Sequence, residues 1–395
     1  MKEFLEGSRA VAEIIKLCKP GVISAYPITP QTHIVEELAQ MVADGELNAQ
    51  FVNVESEHSA ASVVLGAVAT GVRAFTATSS QGLLYMAEVL FNISGLRLPL
   101  VMTCANRAIS APINIWNDQQ DSVSLRDSGW IQFYAENIQE AADLHLLGYR
   151  LSEDKSIMLP VMVCMDGFIL THGMETVDIP QQEEVDKFLP GYKPLYKLDP
   201  AEPLTFGLLA DPDYYLETRF AIQETFKDVL KMIPKLNEEF KNHFGRDYKD
   251  GLIEEYFTRD AEKVIVAMGS VCGTIKEVVD AQRAKGKKVG LLKIISYRPF
   301  PYTRVYDALK DVPRVAVLDK AVSPGAYAPL AIEVKAAFFG KKKSPKVVSS
   351  FVAGLGGRDI TLESVKEIFG KLTQKEITLE FIDLKPELLK EEYGQ

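Results

Sequence analysis

At 395 residues, with 47% hydrophobic and 25% charged positions, the chain has the make-up of a folded globular protein with room for two or three domains, which excludes a disordered or fibrous polymer. A formal net charge of −10 argues against a nucleic-acid surface, which would want a basic patch, although acidity alone names no partner. No apolar run is long enough to span a bilayer, and the start from Met1 to Gly7 lacks the basic flank and apolar core of a secretion signal, so the expected location is cytoplasmic with no membrane contact.

From Pro20 to Met165 short β-branched runs alternate with Gly/Ser/Thr/Asn loops and longer helical segments. The expected strands at 22–25, 50–54, 73–78, 98–103 and 160–165 are apolar throughout rather than alternating, as strands covered on both faces are. Helices on both sides of a parallel sheet follow. Ala60, Ala61, Val64, Ala67 and Val68 recur at helical spacing over 57–70, with Gly71 placed as a C-terminal cap and Glu57 in the first turn. The polar stretch between Arg107 and Trp130 reads as too polar for a core element, and long loops inside compact domains tend to be functional. After Pro180 comes proline-punctuated coil, then a charged, helix-prone stretch from Asp213 to Phe257, expected to be a connector packing on one side. A second βα series begins at Lys263, with strands at 264–268, 289–295, 315–318 and 346–352. The expected domains are 1–257, including a connector at about 181–257, and 258–395.

The four cysteines, Cys18, Cys104, Cys164 and Cys272, are scattered without CxxC spacing, so they read as buried, reduced core residues and no metal or cluster site is expected on this chain. The informative segments are Ser24 to Thr32, Val54 to His58 and Ala105 to Ala108. Each stands where an apolar run gives way to a turn or helix, the place where open α/β sheets gather ligand-contacting residues. One hydroxyl, one carboxylate at a helix start and one loop arginine suit a small anionic substrate beside a nitrogenous cofactor. Residue by residue, plainer roles compete. Pro30 holds Thr29 extended, but a turn threonine commonly bonds its own backbone. Glu57, or its rival Glu55, can simply complement the positive end of a helix. Arg107 can grip a carboxylate through two charge-assisted hydrogen bonds, or be an ordinary surface arginine. His58 adjoins Glu57 but points to another helical face and reads as structural. Asn117 and Asp118 either line a pocket mouth or cap turns in the polar loop. Gly269 to Gly273 lacks the full GxGxxG pattern and reads as a tight βα turn.

The runs YPITP from Tyr26, ESEHSA from Glu55, TATSSQGL from Thr76, NRAISAPINIWNDQQD from Asn106, YRPFP from Tyr297 and GLGGRD from Gly354 together resemble the alpha subunits of the pyruvate:ferredoxin oxidoreductases, within the 2-oxoacid:ferredoxin oxidoreductase family. The resemblance covers nearly the whole chain. It implies a doubly wound parallel-sheet domain of the pyrimidine type that binds thiamine diphosphate, followed by an α/β domain like the C-terminal domain of transketolases. It also implies thiamine-dependent oxidative decarboxylation of pyruvate with coenzyme A to acetyl-CoA and CO2, with electrons passing to ferredoxin. Carried onto this sequence, Glu57 matches the cofactor-binding and catalytic glutamate that hydrogen-bonds N1′ of the aminopyrimidine, Arg107 the substrate-binding arginine and Thr29 the threonine that contacts substrate oxygens. The Gly-Asp-Gly motif that anchors Mg2+ is missing, and Met165 to Phe168 lacks its asparagine sequel. The resemblance therefore places Mg2+ and the diphosphate on a beta subunit and [4Fe-4S] clusters on gamma and delta subunits, with the active site shared between chains. Two other readings stand beside it: a sister enzyme for 2-oxoisovalerate or another 2-oxoacid, and a non-catalytic assembly subunit, against which the intact Thr29, Glu57 and Arg107 set speaks.

Overall fold

The computed structural model describes residues 2–393, which form two compact α/β units. The first takes in the chain as far as Glu254 together with Met268–Ser270 and Ile294–Pro301, and the second comprises Glu255–Ala267, Val271–Lys293 and the stretch from Tyr302 onward. In chain order the elements are β1 (Lys2–Glu6), α1 (Gly7–Cys18), β2 (Val22–Ser24), α2 (Thr32–Ala43), β3 (Gln50–Val52), α3 (Glu57–Ala69), β4 (Ala74–Thr78), α4 (Ser80–Tyr85), α5 (Ala87–Gly95), β5 (Val101–Asn106), α6 (Gln120–Ser124), β6 (Ile131–Tyr134), α7 (Ile138–Ser152), β7 (Val161–Asp166), β8 (Met174–Asp178), α8 (Gln182–Phe188) and α9 (Pro212–Phe244). They continue as β9 (Ile253–Tyr256), β10 (Lys263–Ala267), α10 (Val271–Arg283), β11 (Val289–Ile294), β12 (Ser296–Arg298), α11 (Tyr302–Leu309), β13 (Arg314–Asp319), α12 (Pro329–Ala336), β14 (Val347–Val352), α13 (Leu362–Lys371) and β15 (Glu380–Phe381).

The first unit is built on a seven-stranded sheet in the order β12-β6-β7-β5-β4-β2-β3. All its neighbours run parallel except the edge pair β12 and β6. β4, β5, β6 and β7 are buried along their whole length, because continuous apolar runs have helices to cover both faces. From β2 the chain steps outward to β3 on one side, then returns to β4 on the other and grows on through β5. Such a reversal opens a crevice beyond the carboxyl ends of β2 and β4. The core joins Ile14 and Ile15 of α1, Leu144 and Leu147 of α7 and Val229, Ile233 and Phe240 of α9, each such side chain contributing about 1.5–3 kcal/mol by burial.

Two expectations are corrected here. The stretch from Arg107 to Trp130 is not too polar to be buried: Asn117, Asp118, Gln119, Asp121 and Ser122 are all inside, and α6 forms within it, because its polar atoms find partners in the protein. The helix expected from Asp213 to Phe257 stops at Phe244, where Gly245 at φ 74° ends α9 in the left-handed conformation glycine tolerates, and β9 follows. α9 buries Ile222, Val229, Ile233, Leu236 and Phe240 as a single stripe, as a connector packing on one side does.

The second unit holds a six-stranded sheet in the order β15-β14-β13-β10-β11-β9. β10 pairs in parallel with β11 and β13, β13 with β14, and β14 with β15. Ile265, Leu291, Leu318, Phe351 and Val365 fill its core. Gly269, at φ 80°, makes the tight turn from β10 into α10. Among the described residues no helix is long and apolar enough to cross a membrane.

Candidate active site at the carboxyl ends of the first sheet

The turn after β2 is held in place by Gln31. This buried side chain donates from Nε2 to the Ala77 carbonyl on β4 at 2.7 Å and accepts from the Ile28 amide at 3.2 Å. It thus clips the Tyr26–Pro30 segment across the sheet reversal. The Thr29-Pro30 bond is cis, and Pro30 is buried while Thr29 is exposed. A Cβ on Gly167 would lie 2.5 Å from both Pro30 Cγ and the Asn106 carbonyl oxygen, so glycine is what allows the loops after β2, β5 and β7 to close on one another.

Arg107 leaves the end of β5 with 7% of its surface exposed. Its Nε donates to the Asn114 carbonyl at 3.0 Å and its Nη1 to the Thr29 carbonyl at 2.9 Å. Thr29 and Arg107 are thereby brought together, through the threonine's main chain and not its hydroxyl. Burial pulls the guanidinium below its ordinary pKa while Asp121 opposes the shift; an arginine stays charged regardless.

Asp121, which the sequence reading did not single out, organises this end of the sheet. It is fully buried and accepts from the Arg107 amide at 2.9 Å, the Ser80 amide at 3.0 Å, Asn106 Nδ2 at 2.8 Å and the Ser122 amide at 2.7 Å. Burial pushes its carboxyl up to about 6 against the pull of these donors. One side chain therefore ties the β4–α4 turn, the end of β5 and α6 together. Its place inside the NRAISAPINIWNDQQD run was the signal available. Asp166, at the end of β7, accepts from Asn117 Nδ2 at 3.1 Å, Gln119 Nε2 at 3.2 Å and the Ser270 amide at 3.0 Å. Asn117 and Asp118 are both buried, and Asp118 accepts from the Gln120 amide at 3.0 Å, so both tether the polar loop from within.

Glu57 opens α3 as its first residue, behind the N-cap Ser56, whose Oγ accepts from the Ser59 amide at 3.2 Å. The helix forms there because the serine satisfies an orphan amide and the carboxylate complements the helix dipole. Glu57 is 8% exposed. Among the described residues its carboxylate has no hydrogen-bond partner, whereas that of Glu55 takes the Ser59 hydroxyl and is held below the usual carboxylate range by it. A Cβ on Gly82 would sit 2.6 Å from Glu57 Oε1 and 2.6 Å from Thr78 Oγ1, so the glycine of α4 makes the space the carboxylate occupies. Nearby on β4 and α4, Thr76 Oγ1, Thr78 Oγ1 and Gln81 Nε2 are buried without partners among the described residues. A buried carboxylate with no partner, in a cradle that one methyl group would fill, suits a ligand offering a protonatable ring nitrogen. Glu57 reaches the other two residues through α4, whose Ser80 shares Asp121 with Arg107. His58 stands apart, its ring 5.7 Å from that of Tyr85, and all four cysteines are buried and outside any disulfide among the described residues.

Comparison with known proteins now identifies the setting. Residues 13–238 match the family profile "Pyruvate flavodoxin/ferredoxin oxidoreductase, thiamine diP-bdg", and residues 261–365 match "Pyruvate:ferredoxin oxidoreductase core domain II". The chain is 51% identical to pyruvate synthase subunit PorA of Methanothermobacter thermautotrophicus over 97% of its own length and 98% of the relative's. It is 50% identical to the PorA of Methanosarcina barkeri over 98% and 97%. The ketoisovalerate oxidoreductase subunit VorA of Pyrococcus horikoshii is 44% identical over 93% of each chain. Among solved structures it resembles the 2-oxoglutarate:ferredoxin oxidoreductase of Magnetococcus marinus, with a TM-score of 0.70 at 20% identity, covering 93% of this chain and 65% of that longer one. A split-gene transketolase matches with a TM-score of 0.54 at 11% identity over 92% and 94%. These two likenesses are of fold: a thiamine-diphosphate-binding α/β domain followed by one like the transketolase C-terminal domain. With one family profile spanning more than half of the chain and relatives about half identical nearly end to end, the chain belongs to the pyruvate:ferredoxin oxidoreductase family.

Proposed function

We propose that this chain is the alpha subunit of a pyruvate:ferredoxin oxidoreductase, which with its partners converts pyruvate and coenzyme A to acetyl-CoA and CO2 while reducing ferredoxin, and runs in reverse as a pyruvate synthase. The PorA relatives support the activity. The observation that carries the residue assignment is the buried Glu57 carboxylate, which has no hydrogen-bond partner among the described residues and faces the space left by Gly82.

Thiamine diphosphate, when bound, supplies the carbanion chemistry of decarboxylation. Glu57 would hold its aminopyrimidine by a hydrogen bond at N1′ and exchange a proton there, a task suited to a carboxyl kept out of water. Arg107 binds the oxoacid carboxylate, because its own direct contacts are neutral carbonyls and leave its charge to a ligand. The Thr29 hydroxyl, exposed beside it, contacts a substrate oxygen. Asp121 is a positioning residue that fixes the Arg107 main chain.

The cofactor is shared. Asp166 is engaged by Asn117, Gln119 and Ser270, and the chain lacks the Gly-Asp-Gly and asparagine set, so Mg2+ and the diphosphate fall to a beta subunit. Four scattered buried cysteines support assigning the [4Fe-4S] clusters to gamma and delta subunits that pass electrons to ferredoxin. Leu208, Leu209, Tyr214, Tyr215, Leu216 and Phe220 are exposed about the start of α9, an apolar patch of the kind a partner chain covers.

The test is Glu57→Gln in the assembled complex, for which turnover is expected to fall about 10²–10⁴-fold. Near-normal turnover would remove Glu57 from the mechanism. Turnover with pyruvate is expected to exceed that with 2-oxoisovalerate, and the reverse order would move the chain to the VorA-like branch.

A further inference from the structure

Three separate stretches of the first unit meet: Glu6 at the end of β1, His33 in the first turn of α2 and His172 in the turn after β7. One potential ligand atom from each lies within 4.8 Å of the other two. His33 Nδ1 is 2.7 Å from Glu6 Oε1, and the two imidazole rings lie 4.5 Å apart, tilted by 37°. Two of the five histidines in the chain are spent here.

Two imidazoles and one carboxylate are the donor set that zinc-class divalent ions take, with an open fourth position for water. His172 Nδ1 is engaged by Thr171 Oγ1 at 2.7 Å, and that hydroxyl accepts from the Phe168 amide at 2.8 Å. This is the outer contact that a ligating histidine makes with its second nitrogen, and it leaves Nε2 as the ligand atom. The His33 and Glu6 side chains are 46% and 31% exposed, so an ion and its water can enter. Ion–ligand distances of about 2.0–2.2 Å are reachable by small side-chain rotations from the present spacing.

We propose that Glu6, His33 and His172 form a divalent-metal site of the zinc class, distinct from the Mg2+ that a partner subunit is assigned. Bound metal would staple the start of α1, the start of α2 and the 168–172 turn to one another. His33 follows Pro30 by one turn of chain and His172 follows Gly167, the two residues that pack together beside Arg107, so the staple would brace the crevice from behind without touching substrate.

Zinc chloride titrated into the purified full chain by calorimetry is expected to show one ion per chain and a raised melting temperature. His33→Gln, His172→Gln and Glu6→Gln are each expected to weaken binding at least tenfold, and Thr171→Val about tenfold. Co2+ in place of zinc is expected to show the intense visible absorption of a four-coordinate site in the wild type and to lose it in the variants. Should any variant lose its fold, histidine-ring NMR of the wild type decides alone, with two of the five rings moving at one equivalent of zinc. Absence of stoichiometric binding, unchanged affinity in all folded variants, or equal movement of all five rings would overturn the site and leave the cluster as a hydrogen-bonded His–Glu pair.

Discussion

The two units use one architecture to opposite ends. In the first, among the described residues, polar atoms without partners include several on β4 and β5 and beside their carboxyl ends, the Thr76 and Thr78 hydroxyls, Gln81 Nε2, Asn106 Oδ1 and Gln119 Oε1, with others on Ser128, Gln132 and Asn237. In the second, among the described residues, Ser350 Oγ is the one such atom. At the end of β13 its buried Asp319 accepts from the Leu330 and Ala331 amides at 2.7 and 3.2 Å, the start of α12 satisfying a carboxylate that Glu57 resembles in burial but not in company. A parallel sheet under helices is stable when its polar atoms are paired, so a concentration of unpaired ones marks where a ligand completes the structure.

The contrast can be broken most severely at Glu57, where the glutamine variant of the assembled enzyme is expected to lose the largest share of turnover, while Asp319→Asn is expected to leave kcat and KM unchanged. Asp319→Asn has its own signature. Burial pushes the Asp319 carboxyl up to about 7, so the native chain holds a proton the unfolded chain releases. Its contribution to stability is present below about pH 4 and is lost as pH rises to about 7, a decline on the order of 4 kcal/mol. Denaturant titrations across that range are expected to show a flatter profile in the variant; an unchanged profile would show that Asp319 is ionised in the fold.

His145 in the first unit supplies the opposite slope. It is fully buried between Thr103 Oγ1 and the Ala141 carbonyl, each at 2.7 Å, and burial lowers its pKa to about 4. Stability present above about pH 6.5 is therefore lost as pH falls toward 4, on the order of 3 kcal/mol, and His145→Gln is expected to flatten that loss. The smallest effect falls on substrate affinity. Arg107→Ala is expected to raise KM for the oxoacid about 10–100-fold, the equivalent of charge-assisted hydrogen bonds worth roughly 1.5–3 kcal/mol, with the complex still assembled. An unchanged KM would show that the carboxylate is held elsewhere.

Much of this was legible in the residues. β2, β4, β5 and β7 announce themselves as apolar runs because both of their faces are covered, and α3 by its small apolar spacing and the glycine after it. β1 and β8 do not. Lys-Glu-Phe-Leu-Glu and Met-Glu-Thr-Val-Asp mix polarity freely, and they are strands because each pairs antiparallel with the other, Lys2 opposite Asp178, across most of the domain sequence. β9 was hidden in a charged, helix-prone stretch because its start depends on where Gly245 stops α9. The site divides the same way. Thr29, Glu57 and Arg107 stand out through the resemblance of their motifs, since by residue type alone each has a commoner role. Asp121 and Gly82 do not stand out, because what matters about them, four amide donors on one carboxylate and a missing methyl beside another, exists only once β4, β5 and the polar loop are folded together.

The manner in which Arg107 is held has a consequence for selectivity. A cation whose direct hydrogen bonds go to main-chain oxygens, with Asp121 acting on it only through space, is held in position with charge left to attract an anion. With Arg107 in its proposed role, the pocket is expected to sort candidates by ionisation before shape. Methyl pyruvate or pyruvamide, matched in size but uncharged, would forfeit most of the attraction, whereas small unreactive monoanions would compete for the same berth.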